Sequence, residues 1–216
     1  MSLEVLQMHD TWCAINKPTG VSTHNNEDKS VIELIKSITD KKPYFVHRLD
    51  KETSGVLVIA FDAQTCSQLQ DAFKTSTKTY QAIVKGSFKD NAGTWKQKLT
   101  GKAEGRNNPQ GKSADRKEAL SDFKVLKGTK YSSILEVIIH TGRQHQIRKH
   151  CVLNKHAIIG DSRYGEKKYN SMINKKYNFS SMALHSKSLK LKFKGEDFSL
   201  EADLPKTWKD SFSGLF

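Results

Sequence analysis

One carboxylate in a strongly basic chain lies where an acidic side chain could do chemistry. The stretch VHRLDKETSGVLVIA places Asp50 shortly before a run of apolar residues that is typical of a buried strand. Arg48 and Lys51 lie close to it in sequence, and a neighbouring cation favours the ionised form of a carboxylate. An ionised acid can attack as a nucleophile or remove a proton, or it can brace a turn by pairing with Arg48. The residues alone leave the catalytic and the structural interpretation open.

A second candidate is Tyr80, in the segment KTYQAIVKG, which has strand character. A tyrosine in a strand is most simply explained as a core or cross-strand aromatic side chain. It can also form a platform on which a nucleic-acid base stacks, or transfer a proton through its phenol.

The third candidate is the basic stretch HTGRQHQIRKH, in which Arg143 stands at the start of a predicted helix and Arg148 follows. Such a cluster can bind phosphates or hold a carboxylate in a fixed geometry, and the simplest alternative is a solvated basic face. A zinc site is disfavoured, because His140, His145 and His150 are spaced by five residues and do not share a helical face.

The charge balance indicates a polyanionic partner. Lys and Arg number 36 against 23 Asp and Glu, which gives a formal net charge of +13. Nucleic acid is the usual partner of a folded domain this basic. The alternative is a basic surface that only aids solubility.

Composition also limits the cellular setting. The three cysteines, Cys13, Cys66 and Cys151, are scattered and form no CxxC pair, so neither a disulfide framework nor a zinc ribbon is indicated. No signal peptide and no apolar stretch of about 20 residues is apparent. We therefore expect a reduced, cytoplasmic protein without membrane association.

Strands outnumber helices in the predicted order of elements and follow one another as in a meander. This predicts an α+β fold: a mixed, mainly antiparallel β-sheet with flanking helices, in a single domain over residues 1–216. The length also allows two packed lobes. Gly55–Ala60 is predicted to be a strand buried on both faces.

Helix signals are local. Ser30 and Glu33 form a capping box at the start of SVIELIKSI, and Asp62 can cap a second helix. In a third helix, RQHQIRKHCVLNK, Ile147 and Cys151 are expected to face inward, with Arg148 and Lys149 on the solvent side.

Two polar segments interrupt the predicted strands and helices. Residues 101–117, GKAEGRNNPQGKSADRK, are expected to form a mobile basic loop inside the domain. The stretch AIIGDSRYG is predicted to form a strand and a turn, and residues 166–178 after it, EKKYNSMINKKYN, are interpreted as a polar insertion.

Several segments together strongly resemble the RluA-type RNA pseudouridine synthases. They are VHRLDKETSGVLVIA, KTYQAIVKG, TGRQHQIRKH and IIGDSRYG, followed by ALHSKSLKL. The resemblance extends from AINKPTG near the start to LHSKSLKL near the end, and its most specific part is the HRLDxxTSG stretch. The N-terminal RNA-binding module that some relatives carry is expected to be absent.

The resemblance implies roles for individual residues. Asp50 would be the catalytic acid, acting either as a nucleophile or as a base in a glycal-type route. Tyr80 would pack on the base and assist proton removal, and Arg143 would hold the acid ionised. The substrate-binding residues would be Arg48, His47, Arg148 and Leu184. Arg48 would fill the gap left by the flipped nucleotide, since the bond to be broken is out of reach inside a stacked helix.

The resemblance also implies a reaction without cofactor or metal, in which a uridine of structured RNA becomes pseudouridine. Ribosomal large-subunit RNA is slightly favoured over a tRNA stem-loop as the substrate, and a monomer is expected. A non-catalytic RNA-binding protein on the same scaffold fits the charge equally well, but has no need of Asp50, Tyr80 and Arg143. A small glycosidase is disfavoured, because no second acid stands out.

Overall fold

A computed structural model describes residues 3–23 and 30–215, which form ten strands and five α-helices. The strands are β1 (Glu4–Met8), β2 (Trp12–Lys17), β3 (Tyr44–Phe45), β4 (Ser54–Ala60), β5 (Thr77–Lys85), β6 (Ala92–Trp95), β7 (Ser121–Gly128), β8 (Ser132–Ile139), β9 (Leu184–Phe193) and β10 (Glu196–Glu201). The helices are α1 (Val31–Lys36), α2 (Ala63–Lys74), α3 (Gln146–Leu153), α4 (Lys167–Tyr177) and α5 (Lys206–Ser211). None of the helices in these ranges is both long and apolar enough to cross a membrane.

The chain divides into two compact units. The first contains the described residues up to Lys78 together with His185–Leu204, and the second contains Thr79–Leu184 and the described part of the C-terminal segment from Pro205. In the first unit the strand order is β1-β2-β4-β9-β10, and β3 also pairs with β4. In the second unit the order is β5-β8-β7-β6.

Strand β4 is the centre of the first unit. All seven of its residues are buried, as the continuous apolar run predicts. It pairs antiparallel with β2 and parallel with β9. Its side chains alternate, so that Val56, Val58 and Ala60 join a core cluster with Cys66 and Leu69 of α2.

The predicted fold class is confirmed. Five strand pairs are antiparallel: β1–β2, β2–β4, β9–β10, β6–β7 and β7–β8. The pair β4–β9 is parallel, so the strands form a mixed, mainly antiparallel arrangement with flanking helices. The two predicted N-cap residues are confirmed, although the Glu33 carboxylate of the predicted capping box pairs with Lys36 at 2.8 Å. The Ser30 side chain accepts a hydrogen bond from the Glu33 amide, and that of Asp62 accepts one from the Thr65 amide.

The prediction for the basic face of α3 is wrong. Ile147 and Cys151 are buried as expected, but Arg148 and Lys149 are buried as well, with 2% and 0% of their surface exposed. Arg148 forms a bidentate pair with the Asp161 carboxylate, with Nε–Oδ2 and Nη2–Oδ1 distances of 2.8 and 2.9 Å. Hydrogen-bonded partners make the burial of both charges tolerable. Helical periodicity does not reveal such partners, because they lie outside the helix.

Lys149 explains why the segment 101–117 is not simply an unattached basic loop. Its buried ammonium donates to the carbonyl oxygens of Thr100, at 3.1 Å, and of Lys102, at 2.7 Å. Arg116 donates to the Gly111 carbonyl, and a short 3-10 helix covers Ser113–Asp115. The described loop is therefore anchored at its start and closed on itself.

Two further segments differ from the sequence interpretation. The polar insertion 166–178 contains the helix α4. The stretch before it, AIIGD, contributes only an isolated bridge, between Ile158 and Val84, and not a strand. Asp161 caps the turn that follows, because its Oδ1 accepts from the amides of Arg163 and Tyr164.

His185 joins three elements inside the first unit. Its Nδ1 lies 2.8 Å from Ser54 Oγ, and its Nε2 lies 3.3 Å from the Ala202 carbonyl oxygen. The carbonyl can only accept, so Nε2 carries the proton and Nδ1 accepts from the serine hydroxyl. Burial lowers the pKa of this imidazole from its ordinary 6.5 to about 4.

This burial predicts that the protein loses stability on acidification. Between pH 6.5 and 4 the unfolded chain binds a proton at His185 that the folded chain does not, so the free energy of unfolding falls as pH falls. We expect a loss of about 2 kcal/mol from this residue between about pH 7 and 5. Urea denaturation of wild type and of His185→Gln at both pH values measures this loss, because the glutamine amide can replace both hydrogen bonds without titrating. The assignment would be contradicted if wild type and variant differed by the same free energy of unfolding at both pH values.

Candidate active site

Asp50 lies in the loop between β3 and β4, in the first unit. Leu49 before it is buried, with 5% of its surface exposed, whereas Arg48 is exposed and Asp50 is half-buried. The Asp50 carbonyl oxygen accepts from the Thr53 amide at 3.0 Å. The loop thus anchors its apolar residue and leaves the acid at an intermediate depth, reachable from solvent.

The turn after β2 holds this loop by its backbone. Thr23 Oγ1 donates to the Leu49 carbonyl at 2.8 Å, and Thr19 Oγ1 donates to the Glu52 carbonyl at 2.7 Å. The Gly20 amide donates to the Lys51 carbonyl at 2.8 Å. With the internal bond to Asp50, each of the four successive carbonyls from Leu49 to Glu52 has a hydrogen-bond donor.

Lys17 completes this attachment. Its side chain is fully buried, and Nζ donates to the carbonyls of Pro18, Val21 and Lys51 at 2.9, 2.8 and 3.2 Å. Burial lowers the pKa of this lysine to about 8, and the negative charges of Asp50 and Glu52 act in the opposite direction. Lys17 is therefore still a cation at pH 7, electrostatically attracted to the acid of the loop above it.

Lys17 is not among the candidate residues that the sequence indicates. It precedes a turn in which Gly20 has a positive φ of 81°. The available signal was the position of Lys17 at the end of β2, four of whose other five residues are buried.

Gly55 allows β4 to leave the loop directly beside β9. It has a φ of +108°, and a Cβ at this position would collide with the backbone of Ser186. Ser54 and Gly55 pair with His185 and Ser186 in the parallel register. The strand that fixes the far end of the Asp50 loop therefore depends on the absence of a side chain here.

His47, before the loop, contacts both β4 and α2. Its Nε2 accepts from the Val58 amide at 3.0 Å, and its ring stacks on Phe73 with centroids 4.3 Å apart. These contacts give the residue a structural task. Its predicted contact with substrate, like that of the exposed Arg48, stays a prediction.

The remaining predicted residues belong to the second unit. Tyr80 is half-buried in β5, and Leu184 is buried with 4% of its surface exposed. Arg143 is half-buried, and its Nε donates to the Glu118 carbonyl at 3.1 Å. Arg148 is engaged with Asp161 inside the protein, so its position does not support the predicted contact with substrate.

Gln146 fixes the turn that carries Arg143. Its Oε1 accepts from the Arg143 amide at 3.1 Å and from Thr141 Oγ1 at 2.7 Å, while its Nε2 donates to the Leu120 carbonyl at 2.9 Å. His145, at a positive φ of 57°, lies with Nδ1 3.0 Å from Tyr164 Oη. This left-handed residue lets the chain enter α3 with Arg143 placed before the helix.

Among residues 3–23 and 30–215, no group of three or more His, Cys, Asp or Glu side chains is placed to hold a metal ion. The three cysteines in these ranges are free and buried. What the described groups offer is an immobilised loop with two half-buried carboxylates, those of Asp50 and Glu52. Such a carboxylate can attack an electrophilic carbon or accept a proton.

Comparison with known proteins is consistent with this chemistry. The family model described as RNA pseudouridylate synthase matches residues 11–152. The chain is 28% identical to the tRNA pseudouridine synthase C of Vibrio parahaemolyticus, over 99% of this chain and 95% of that protein. It is 36% identical to the ribosomal large subunit pseudouridine synthase C of Rickettsia felis, over 94% of this chain and 68% of the relative.

The fold has a solved counterpart. The human RNA pseudouridylate synthase domain containing 4 superposes with a TM-score of 0.81 at 24% identity, and the match covers 97% of this chain and 92% of that one. At this identity the likeness concerns the fold alone.

The two positive-φ glycines beside the Asp50 loop provide a matched test of its packing. Gly55→Ala must push β4 away from the Ser186 backbone, whereas a Cβ on Gly20 meets no atom within 4 Å. We expect Gly20→Ala to cost about 1 kcal/mol of unfolding free energy, from backbone strain alone. Gly55→Ala should cost at least about 3 kcal/mol. Urea denaturation of the two variants compares these costs, and equal losses would refute the close approach of β4 and β9.

Proposed function

Because this chain belongs to the RNA pseudouridylate synthase family and is an isomerase that converts uridine to pseudouridine in RNA, we propose that the Asp50 carboxylate carries the reaction. The observation that supports this assignment most strongly is the Asp50 loop itself. Four successive carbonyls are bonded, while the side chains of Asp50 and Glu52 stay half-buried, and the HRLD motif assigns the reaction to Asp50.

A single carboxylate can carry out the isomerisation. The bond between N1 and C1′ breaks, a bond between C5 and C1′ forms, C5 loses a proton and N1 gains one. Asp50 either adds to C1′ and is displaced when C5 attacks, or removes a proton from the sugar and returns it. Both routes leave atoms and electrons balanced and return the carboxylate unchanged.

A fixed loop favours either route. Holding a reacting group in place removes conformational entropy that the transition state would otherwise have to lose. The cation of Lys17 supports the negative charge of the loop, with Nζ on the Lys51 carbonyl next to Asp50. This arrangement is expected to keep the Asp50 loop oriented.

The other assignments rest on the resemblance in the motifs. Tyr80 is proposed to pack on the uracil and assist proton removal, and Arg143 to favour the ionised form of the catalytic acid. Arg48 is proposed to replace the flipped nucleotide in its stack, which its exposed position supports. His47 and Leu184 are proposed to shape the substrate pocket.

Ribosomal large-subunit RNA is the substrate that we propose, with the 36% identity to the Rickettsia felis relative in support. A tRNA stem-loop is the second candidate, because the tRNA pseudouridine synthase C of Vibrio parahaemolyticus matches over 95% of its own length. A monomer that acts in the cytoplasm remains part of the proposal.

A complementation experiment tests residue and substrate together. Pseudouridines are mapped chemically across total RNA from cells that lack the gene and carry either wild type or Asp50→Asn. Wild type should restore at least one pseudouridine in large-subunit RNA, and Asp50→Asn should restore none. With purified proteins and RNA tritiated at C5, we expect the variant to lose at least about 10³-fold in rate.

The control is RNA affinity, which Asp50→Asn should keep, because the substitution is isosteric and removes a negative charge. Tritium release by the variant at the wild-type rate would remove Asp50 from the reaction. Restored sites confined to tRNA would overturn the ribosomal assignment and leave the isomerase intact.

A further inference from the structure

Helix α4 is docked on the second unit by one face. Ile173 on this face is buried, with 4% of its surface exposed. Asn170 Oδ1 accepts from the Gly160 amide at 3.1 Å, and its Nδ2 donates to the Asp161 carbonyl at 3.0 Å. Tyr177 packs on Phe212 with ring centroids 5.4 Å apart. These contacts fix the orientation of the helix, so the opposite face is presented to solvent in a defined way.

All charged side chains on the solvent side of α4 are basic, and the exposed Ser171, Met172 and Asn174 lie among them. Lys167, Lys168, Lys175 and Lys176 are all exposed, and the helix contains no acidic residue. Each lysine of the first pair is followed eight residues later by one of the second, a rise of about 12 Å along the axis. The helix thus carries a pair of cations at each end of one continuous face.

Two of these lysines are unfavourable for the helix itself. Lys167 and Lys168 lie in the first turn, where the helix dipole disfavours cations. The nearest acid, Glu166, is bonded to Lys85 at a distance of 2.8 Å. Lys175 and Lys176 in the last turn are favourable for the dipole, but they add to the repulsion across the face. Folding alone does not account for this distribution, and a polyanionic partner does.

An exposed aromatic ring lies at the edge of the same helix. Tyr131, in the turn between β7 and β8, has 67% of its surface exposed. Its backbone is held at three points: the carbonyl accepts from the Gly86 amide at 2.7 Å and from Tyr169 Oη of α4 at 2.9 Å, and the amide donates to Thr129 Oγ1 at 3.2 Å. An apolar ring on a fixed backbone can stack on a base with little loss of entropy.

We propose that these groups form a substrate-docking surface for RNA, separate from the residues assigned to the reaction. The α4 surface is defined as Lys167, Lys168, Lys175 and Lys176 with Tyr131. The lysines contact phosphates of the RNA strand, and Tyr131 stacks on an unpaired base. The inference rests on the proposed function, because RNA is the polyanion on which this enzyme acts.

The test measures RNA affinity against salt concentration for wild type and for the variant K167Q/K168Q/K175Q/K176Q. The probes are protein-free large-subunit ribosomal RNA and unfractionated tRNA. Each lost phosphate contact lowers the slope of log K against log salt by about 0.7 to 0.9. For the variant we expect a slope smaller by about 3 than that of wild type. Its affinity for RNA should be roughly 100-fold lower at about 0.15 M salt. Tyr131→Ala should weaken binding about tenfold with the slope unchanged.

A charge-matched control separates a specific surface from general attraction. The variant K190Q/K192Q/K194Q/K209Q removes four exposed lysines outside the α4 surface. Its slope should differ from the wild-type slope by no more than about 0.9, the contribution of one phosphate contact. Equal slopes for the two quadruple variants would overturn the proposal. So would unchanged RNA binding by the α4 variant together with lost binding to phosphatidylglycerol vesicles, which would assign the surface to a membrane.

Turnover by wild type on the same RNAs keeps the two proposals apart. If wild type forms pseudouridine and the α4 variant binds RNA as wild type does, the docking surface fails and the enzymatic function stands. If wild type binds with the expected dependence on α4 but forms no pseudouridine, the enzymatic function fails. Melting temperatures exclude misfolding: the variant relieves the repulsion with the helix dipole at positions 167 and 168 and loses a favourable interaction of similar size at 175 and 176, so it should melt close to wild type.

Discussion

The structure of the site depends on hydrogen bonds to four successive carbonyls, from Leu49 to Glu52. Three of them are bonded by the turn after β2, through Thr19, Gly20 and Thr23, and the fourth is bonded within the loop. A loop of this length would otherwise sample many backbone conformations, at a cost of about 1–2 kcal/mol for each residue that must be ordered. The bonds meet this cost on folding, so the carboxylate is already in place when RNA arrives.

Two buried lysines use the same principle in different parts of the chain. Lys17 and Lys149 each place an ammonium among backbone carbonyls at the foot of a loop. Burying a cation is unfavourable, and at Lys17 it lowers the pKa to about 8. The carbonyls and the nearby acids offset part of that penalty. A charged residue thereby becomes an anchor for irregular backbone, which an apolar residue could not provide.

Local signals predicted much of the fold, and long-range contacts explain what they missed. The apolar run of β4 and the Asp62 cap of α2 are encoded in neighbouring residues, and both are present. The HRLD motif indicated Asp50 through a resemblance. The burial of Arg148 depends on Asp161, 13 residues later, and a periodicity argument cannot contain that pairing. Helix α4 was missed because its docking face is largely polar, with Asn170 in place of an apolar residue.

The central claim is that the backbone anchors, and not only the acid, make this isomerase work. The most direct measurement is the single-turnover rate of Thr23→Val at saturating RNA, since this isosteric change removes the hydroxyl bonded to the Leu49 carbonyl. The account predicts a rate at least about tenfold below wild type, with RNA affinity unchanged. Thr75→Val, which removes a hydroxyl bonded to a carbonyl at the end of α2, should retain the wild-type rate. A folded Thr23→Val protein that turns over as fast as wild type would contradict the account.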